Sequence, residues 1–147
     1  MPLIIRPASA ADHATIRAIV RAAQINPIGI DWPRFLVAAS GEQIVGIGQV
    51  KPHGDGSREL ASIAVTPAWQ GRGIASMIVR ALLARETGTL HLMCVPEMSA
   101  YYTRFGFRSL ERAELPPYFR RIDQAVRLIS PLTAGRLRGP VVMRRDA

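Results

Sequence analysis

The sequence predicts a single mixed α/β domain, and three observations lead there. Strand-like and helix-like hydrophobic patterns alternate along the chain. Two short apolar runs, 35–39 and 43–50, flank Ser40-Gly41-Glu42 and read as a hairpin. A third run, 59–65, stops at Pro67 and passes within a few residues into a long helical pattern behind Gly71 and Gly73. At 147 residues the chain suits one domain with its own core.

Residues 3–6 read as the first strand. Ser9 followed by Asp12 resembles a capping box with aspartate in the glutamate position, and Ile16, Ile19, Val20 and Ala23 give the next helix an apolar face. Residues 26–33 are irregular, broken by Pro27, Gly29 and Pro33. After the hairpin, the Gly-rich loop 52–57 leads to the 59–65 strand, small and apolar on both sides as a buried strand requires. A helix over 74–86 follows from Met77, Ile78, Ala81 and Leu82, with Gly88 as its terminator. Residues 89–95 form another strand, and 97–105 a short helix closed by Gly106. Residues 141–144 read as the last strand. Between Phe107 and Pro140 the only pattern is a helix over 122–129.

Composition narrows the function classes. Cys94, alone of its kind, excludes an internal disulfide, and no apolar run approaches membrane-spanning length. Arg6, Pro7 and Asp12 interrupt any signal-peptide pattern, so a cytoplasmic location is the simple expectation. The net charge of +8 comes almost wholly from arginine, with Lys51 the only lysine. Ten arginines fall between Arg104 and Arg145, against Glu111, Glu114 and Asp123. They follow no helical stripe and lack aromatic interleaving. A solvated surface that attracts phosphates is therefore expected over a nucleic-acid face.

Gln70-Gly71-Arg72-Gly73-Ile74-Ala75 carries the most chemistry. Its glycines allow close backbone approach, and the first amides of the helix behind it are unpaired donors at the positive end of a dipole. Such a turn is a socket for a pyrophosphate. It has neither the Gly-Lys-Ser/Thr of a Walker loop nor the Gly-x-Gly-x-x-Gly of a dinucleotide fold.

Gln70-x-x-Gly73-x-Ala75, following a Val-x-Pro strand end, resembles the coenzyme A signature of the GNAT superfamily of N-acyltransferases. Downstream, Ala100-Tyr101-Tyr102-Thr103-Arg104-Phe105-Gly106-Phe107 is similar to that family's Tyr-x-x-x-Gly-Phe helix end. The resemblance runs from about residue 3 to 145, with specific residues confined to 59–107. It implies a mostly antiparallel sheet flanked by helices, with a V-shaped splay between the two central strands. It also implies acetyl-CoA as co-substrate. Pantetheine would run along Ile63, Ala64 and Val65, with the Ile63 amide facing the thioester carbonyl. Gln70, Gly71, Arg72, Gly73, Ile74, Ala75 and Ser76 would hold the pyrophosphate.

The same resemblance makes Glu59 the candidate base that removes the amine proton through water, and Tyr102 the candidate acid for the departing thiolate. A solvated glutamate near about 4.3 is a poor base for an ammonium near 10, so Glu59 needs a special setting or a water relay. Its plainer reading is a surface carboxylate paired with Arg58 or another arginine. For Tyr102 the plainer reading is a core-edge aromatic; Tyr101, about 100° away on the helix, is a packing residue. One departure stands out: Val95 occupies the place of an asparagine that contacts pantetheine in many members.

His53, in the Gly-rich loop, is expected to be solvated, His91 to be structural, and Cys94 to be a small buried hydrophobe. His13, His53 and His91 are not at metal-ligand spacing, so no metal is expected. The acceptor is expected to be a small-molecule amine. Residues 54–61 and 114–119 faintly resemble acetyltransferase domains acting on free amino acids, including glutamate. A protein N-terminus or lysine, or a non-catalytic coenzyme A-binding module, remain the alternatives, and a homodimer is left open.

Overall fold

The computed structural model describes residues 2–129 and 139–146. The fold is mixed α/β, built on a seven-stranded, mostly antiparallel sheet. Its strands are β1 (Leu3–Pro7), β2 (Phe35–Ser40), β3 (Gln43–Pro52), β4 (Arg58–Val65), β5 (Leu90–Cys94), β6 (Arg108–Ser109) and β7 (Val141–Arg145). They hydrogen-bond in the order β1-β2-β3-β4-β5-β7-β6. Contacts group the residues into two compact units, Met1–Lys51 with Leu60–Thr87 and Pro52–Glu59 with Gly88–Ala147.

In the first unit, β1 runs antiparallel to β2 from Leu3 opposite Ser40 to Pro7 opposite Leu36. The β2–β3 hairpin has a register shift between Ala38 and Ala39. Helix α1 (His13–Ala22) buries Ile16, Ile19 and Val20 against Phe35, Val37, Ile44 and Ile47. Ala23, expected on that face, is exposed just past the helix end. The capping box forms as the sequence suggests: the Asp12 carboxylate accepts the Ser9 amide at 2.7 Å and Arg6 Nη1 at 2.7 Å. Arg6, and then Ser9, hold this carboxyl at about 2 against the cost of burial.

Helix α2 (Ile74–Arg85) buries Ile74, Ile78, Val79 and Leu82, while Met77 faces outward. Gly46 and Gly48 of β3 let the helix approach closely. A Cβ at Gly48 would stand 2.7 Å from Ile63 Cδ1 and 2.7 Å from Ile78 Cγ2. Four buried aliphatic side chains contribute roughly 1.5–3 kcal/mol each, so packing, more than propensity, fixes this helix.

In the second unit, β5 pairs antiparallel with β7, from Leu90 opposite Arg145 to Cys94 opposite Val141, and β6 pairs with β7. β4 meets β5 in parallel, with Glu59 opposite His91. The predicted 97–105 helix resolves into a 3-10 turn at Pro96–Met98 and helix α3 (Ser99–Thr103). Helix α4 (Pro117–Ile129) begins well before the expected position 122, because Tyr118 and Phe119 already belong to it. Phe119 is fully buried and packs with Leu115 and Val142. Part of the uncertain segment, residues 130–138, lies outside the described residues.

Candidate active site

The glycine turn lies in the first unit. Gly71 and Gly73 adopt φ of +80° and +78°, and a Cβ at either position would meet nothing within 4 Å. The backbone therefore bends into a conformation that glycine adopts freely, beside open space. The Met77 amide donates to the Gly73 carbonyl, the opening bond of α2. The amides of Gly73, Ile74 and Ala75 precede that bond, where a helix leaves donors for an anion. This geometry can receive an anionic group such as a phosphate.

The neighbouring side chains brace the turn. Gln70 Nε2 donates to the Val65 carbonyl at 3.0 Å, tying the turn to the end of β4. The Arg72 guanidinium lies 4.6 Å from the Trp69 ring centroid. Ile74 is buried in the core, and Ala75 and Ser76 are half-buried in the first helical turn.

Upstream in β4, Ser62 has φ of +58°, a left-handed conformation that costs a non-glycine residue about 1–2 kcal/mol. Its Oγ accepts Gln49 Nε2 at 2.9 Å, and that amide nitrogen also donates to the Gly29 carbonyl at 3.2 Å. The strand is thus kinked one residue before Ile63, Ala64 and Val65. Nothing in the sequence announces this: Ser62 sits inside an unbroken small-apolar strand pattern, and its partner Gln49 is 13 residues away.

Glu59 lies in the second unit and is buried at 7% exposure. Among the described residues its partner is His53, not Arg58 or another arginine. Oε1 lies 2.8 Å from His53 Nε2, and the two side chains are only 9% and 10% exposed. The expectation of a solvated His53 is therefore wrong. The His53 ring stacks on Tyr118, with centroids 3.6 Å apart and planes 13° apart, and meets Phe119 edge-on at 5.9 Å. Loop 52–57 folds back by a His53 amide bond to the Ser57 carbonyl. Asp55 accepts both the Ser57 hydroxyl at 2.6 Å and the Tyr118 amide at 2.9 Å, latching the loop to the start of α4. Those bonds, the Ser57 hydroxyl first, hold the Asp55 carboxyl at about 2. Burial, followed by the charge on Glu59, raises the Tyr118 phenol.

His91, opposite Glu59 across β4–β5, is buried, and its ring centroid is 5.3 Å from that of Phe119. Its Nδ1 has no hydrogen-bond partner among the described residues. Burial, then the charge of Arg144, lowers its pKa and favours the neutral ring. Tyr102 is half-buried on α3, with Tyr101 at 5.0 Å and Phe107 at 6.3 Å, both edge-to-face. Burial, then Tyr101 and Cys94, push its phenol up to about 12. Cys94 is half-buried and burial raises its thiol, as a packing cysteine requires. Val95, in the place of the missing asparagine, is exposed.

A family model described as an acetyltransferase (GNAT) domain matches residues 31–109, more than half of the chain. The chain belongs to the GNAT family of acetyltransferases. The matched stretch contains the glycine turn, Glu59, His53 and Tyr102. No curated protein matches the chain in sequence.

Solved structures share the GNAT fold. N-acetylglutamate synthase from Neisseria gonorrhoeae, complexed with coenzyme A and N-acetyl-glutamate, has a TM-score of 0.75 at 17% identity over 99% of this chain. The chain spans only 35% of that protein. A Mycobacterium tuberculosis protein in complex with CoA gives a TM-score of 0.71 at 20% identity, covering 98% of this chain and 99% of the other. A GNAT family acetyltransferase from Brucella melitensis in complex with acetyl-CoA is 26% identical. Its TM-score is 0.60, over 74% of this chain and 84% of its own. Among the described residues, no helix is long and apolar enough to cross a membrane.

Proposed function

We propose that the domain transfers the acetyl group of acetyl-CoA to the primary amine of a small molecule such as an amino acid, by direct attack within a ternary complex. The observation that carries this reading is the glycine turn, with Gly71 and Gly73 at positive φ beside open space at the head of α2. Glu59 supports it as a carboxylate removed from bulk water, the setting a solvated glutamate lacked. The amino-acid acceptor is supported by the shared fold with an N-acetylglutamate synthase. The resemblance puts the acceptor side at residues 25–32, after the first helix, and at the segment after Phe107; loop 26–30 within the first of these is held by definite bonds. Lys51 Nζ donates to the Ile28 carbonyl at 2.8 Å, beside the Gln49 bond to Gly29.

In this mechanism the turn binds the diphosphate, and the backbone at Ile63–Val65 aligns pantetheine past the Ser62 kink. Glu59 takes the ammonium proton, directly or through one water, and the freed nitrogen lone pair attacks the thioester carbon. The Ile63 amide donates to the developing oxyanion. Tyr102 stays protonated at any working pH. At about 12 it gives its proton to a thiolate, whose acid lies near 8.5, less readily than a free tyrosine would. Its help is chiefly a hydrogen bond to the departing sulfur.

The test is release of coenzyme A thiol from acetyl-CoA against a panel of free amino acids, polyamines and peptide N-termini. Acceleration by amino acids above background hydrolysis is expected. Acetyl-CoA binding without acceleration by any amine would replace this reading with a coenzyme A-binding module.

A further inference from the structure

Glu59 does not stand alone, and its partner changes what it can do. Between a carboxylate oxygen and a ring nitrogen 2.8 Å apart there must be a proton, since two bare acceptors would repel. With Glu59 ionised, that proton is on His53 Nε2, which donates to Oε1 and leaves Oε2 for a substrate or a water. The ring has little freedom. Tyr118 stacks on one face, Phe119 meets it edge-on, and the Asp55 bonds to Ser57 and to the Tyr118 amide fix both loop and helix around it.

We propose that His53 is a positioning residue that holds Oε1 of Glu59 and so turns Oε2 to the amine, an inference that rests on the acetyl-transfer reading above. The neutral ring gives one hydrogen bond and leaves the carboxylate able to take a proton. An ammonium N–H bond breaks, its proton goes to Oε2, and the nitrogen keeps the electron pair that forms the new N–C bond. The groups facing the pair are Tyr118 and Phe119 from α4, Asp55 and Ser57 from the loop, and His91 from β5 with Arg144 and Asp146 beyond it. Asp55, its carboxyl at about 2, keeps a constant charge across the working range, and His91 is favoured in its neutral form.

The experiment compares kcat and KM, with an accepted amine at one pH, for wild type, His53→Gln and His53→Leu. Glutamine keeps an amide donor, and His53→Gln should keep kcat within about tenfold. His53→Leu removes the donor, and kcat should drop by roughly 10–100-fold, within the range of lost acid–base help, with the KM for acetyl-CoA unchanged. A His53→Gln as impaired as His53→Leu, or a fully active His53→Leu, would overturn the proposal. A readout independent of turnover is the ¹⁵N shifts of the His53 ring. They should show Nε2 protonated and bonded, and should change in Glu59→Gln. A bare Nε2 would overturn the proposal even in a protein that acetylates nothing. If no amine is acetylated and Nε2 is protonated, only the acetyl-transfer reading fails.

Discussion

Replacing Gly73 tests the diphosphate socket at its most exposed point. The backbone there has φ of +78°, which costs an L-residue about 1–2 kcal/mol, while the space around a Cβ is empty. Gly73→Ala should therefore fold, with a melting temperature lowered by roughly 4 °C per kcal/mol for a domain near this size. Neighbouring side chains exact no further cost, because none is within reach. The new methyl instead occupies the side from which a phosphate would approach, and binding should weaken by about tenfold, or 1.4 kcal/mol. Gly73→Glu adds a charge. Two like charges 4 Å apart repel by about 1 kcal/mol in bulk water and about 4 kcal/mol near a protein surface. The loss should reach 10²–10³-fold, and the part beyond the alanine variant should shrink as salt rises (about a tenfold change in ionic strength is enough to see it). Calorimetric titration with acetyl-CoA, alongside thermal melts, measures both quantities. A folded Gly73→Glu with wild-type affinity would refute the socket. An affinity loss equal in the two variants and insensitive to salt would refute the argument that the turn meets a phosphate charge.

The other predictions concern packing, the cap and the leaving group. Gly48→Ala should destabilise by about 1–3 kcal/mol, because its methyl would sit 2.7 Å from Ile63 Cδ1 and Ile78 Cγ2; a neutral result in urea melts would show that α2 rides more loosely on β3. The folded-state pKa of Asp12 lies below its ordinary carboxyl value, so its contribution is present above about pH 4 and fades as pH falls towards 2. Asp12→Asn should thus cost about 1–2 kcal/mol at pH 7, discounted for the partly exposed Arg6, and the gap in urea melts should narrow below about pH 4 and close only at about pH 2 or lower; a constant gap would trace the loss to the amide itself. Tyr102→Phe should lower kcat about tenfold with the acetyl-CoA dissociation constant little changed, and no alkaline limb should separate the two proteins below about pH 11.

The sequence made the glycine turn plain because its chemistry is local: Pro67, Gly71, Gly73 and the apolar helix behind them lie within one short stretch. The hairpin and the Ser9–Asp12 cap were legible for the same reason, each resting on neighbours a few positions apart. Glu59 was singled out as a candidate base with a surface carboxylate as the plainer reading, and neither its burial nor its partner was foreseen. His53 looked solvated because Gly54 and Gly56 surround it, and its cover arrives from Tyr118 and Phe119, more than sixty positions downstream. The start of α4 escaped notice because Pro116 and Pro117 look like a break, although a proline opens a helix as readily as it ends one. The Ser62 kink has no local signature, since an apolar alternation reads the same through it.

Loop 26–30 is fastened through its carbonyls: Ile28 to Lys51 and Gly29 to Gln49, while the Ile28 side chain is 75% exposed. Such an attachment is blind to side-chain identity. Substitutions at Ile28 can vary the shape and polarity this loop presents without loosening the anchor beneath, whereas the Asn26 side chain is bound into the loop, its Oδ1 accepting the Ile28 amide at 3.0 Å. If the loop faces the acceptor, as proposed, selectivity can be moved by a small library at Ile28 while the loop keeps its place.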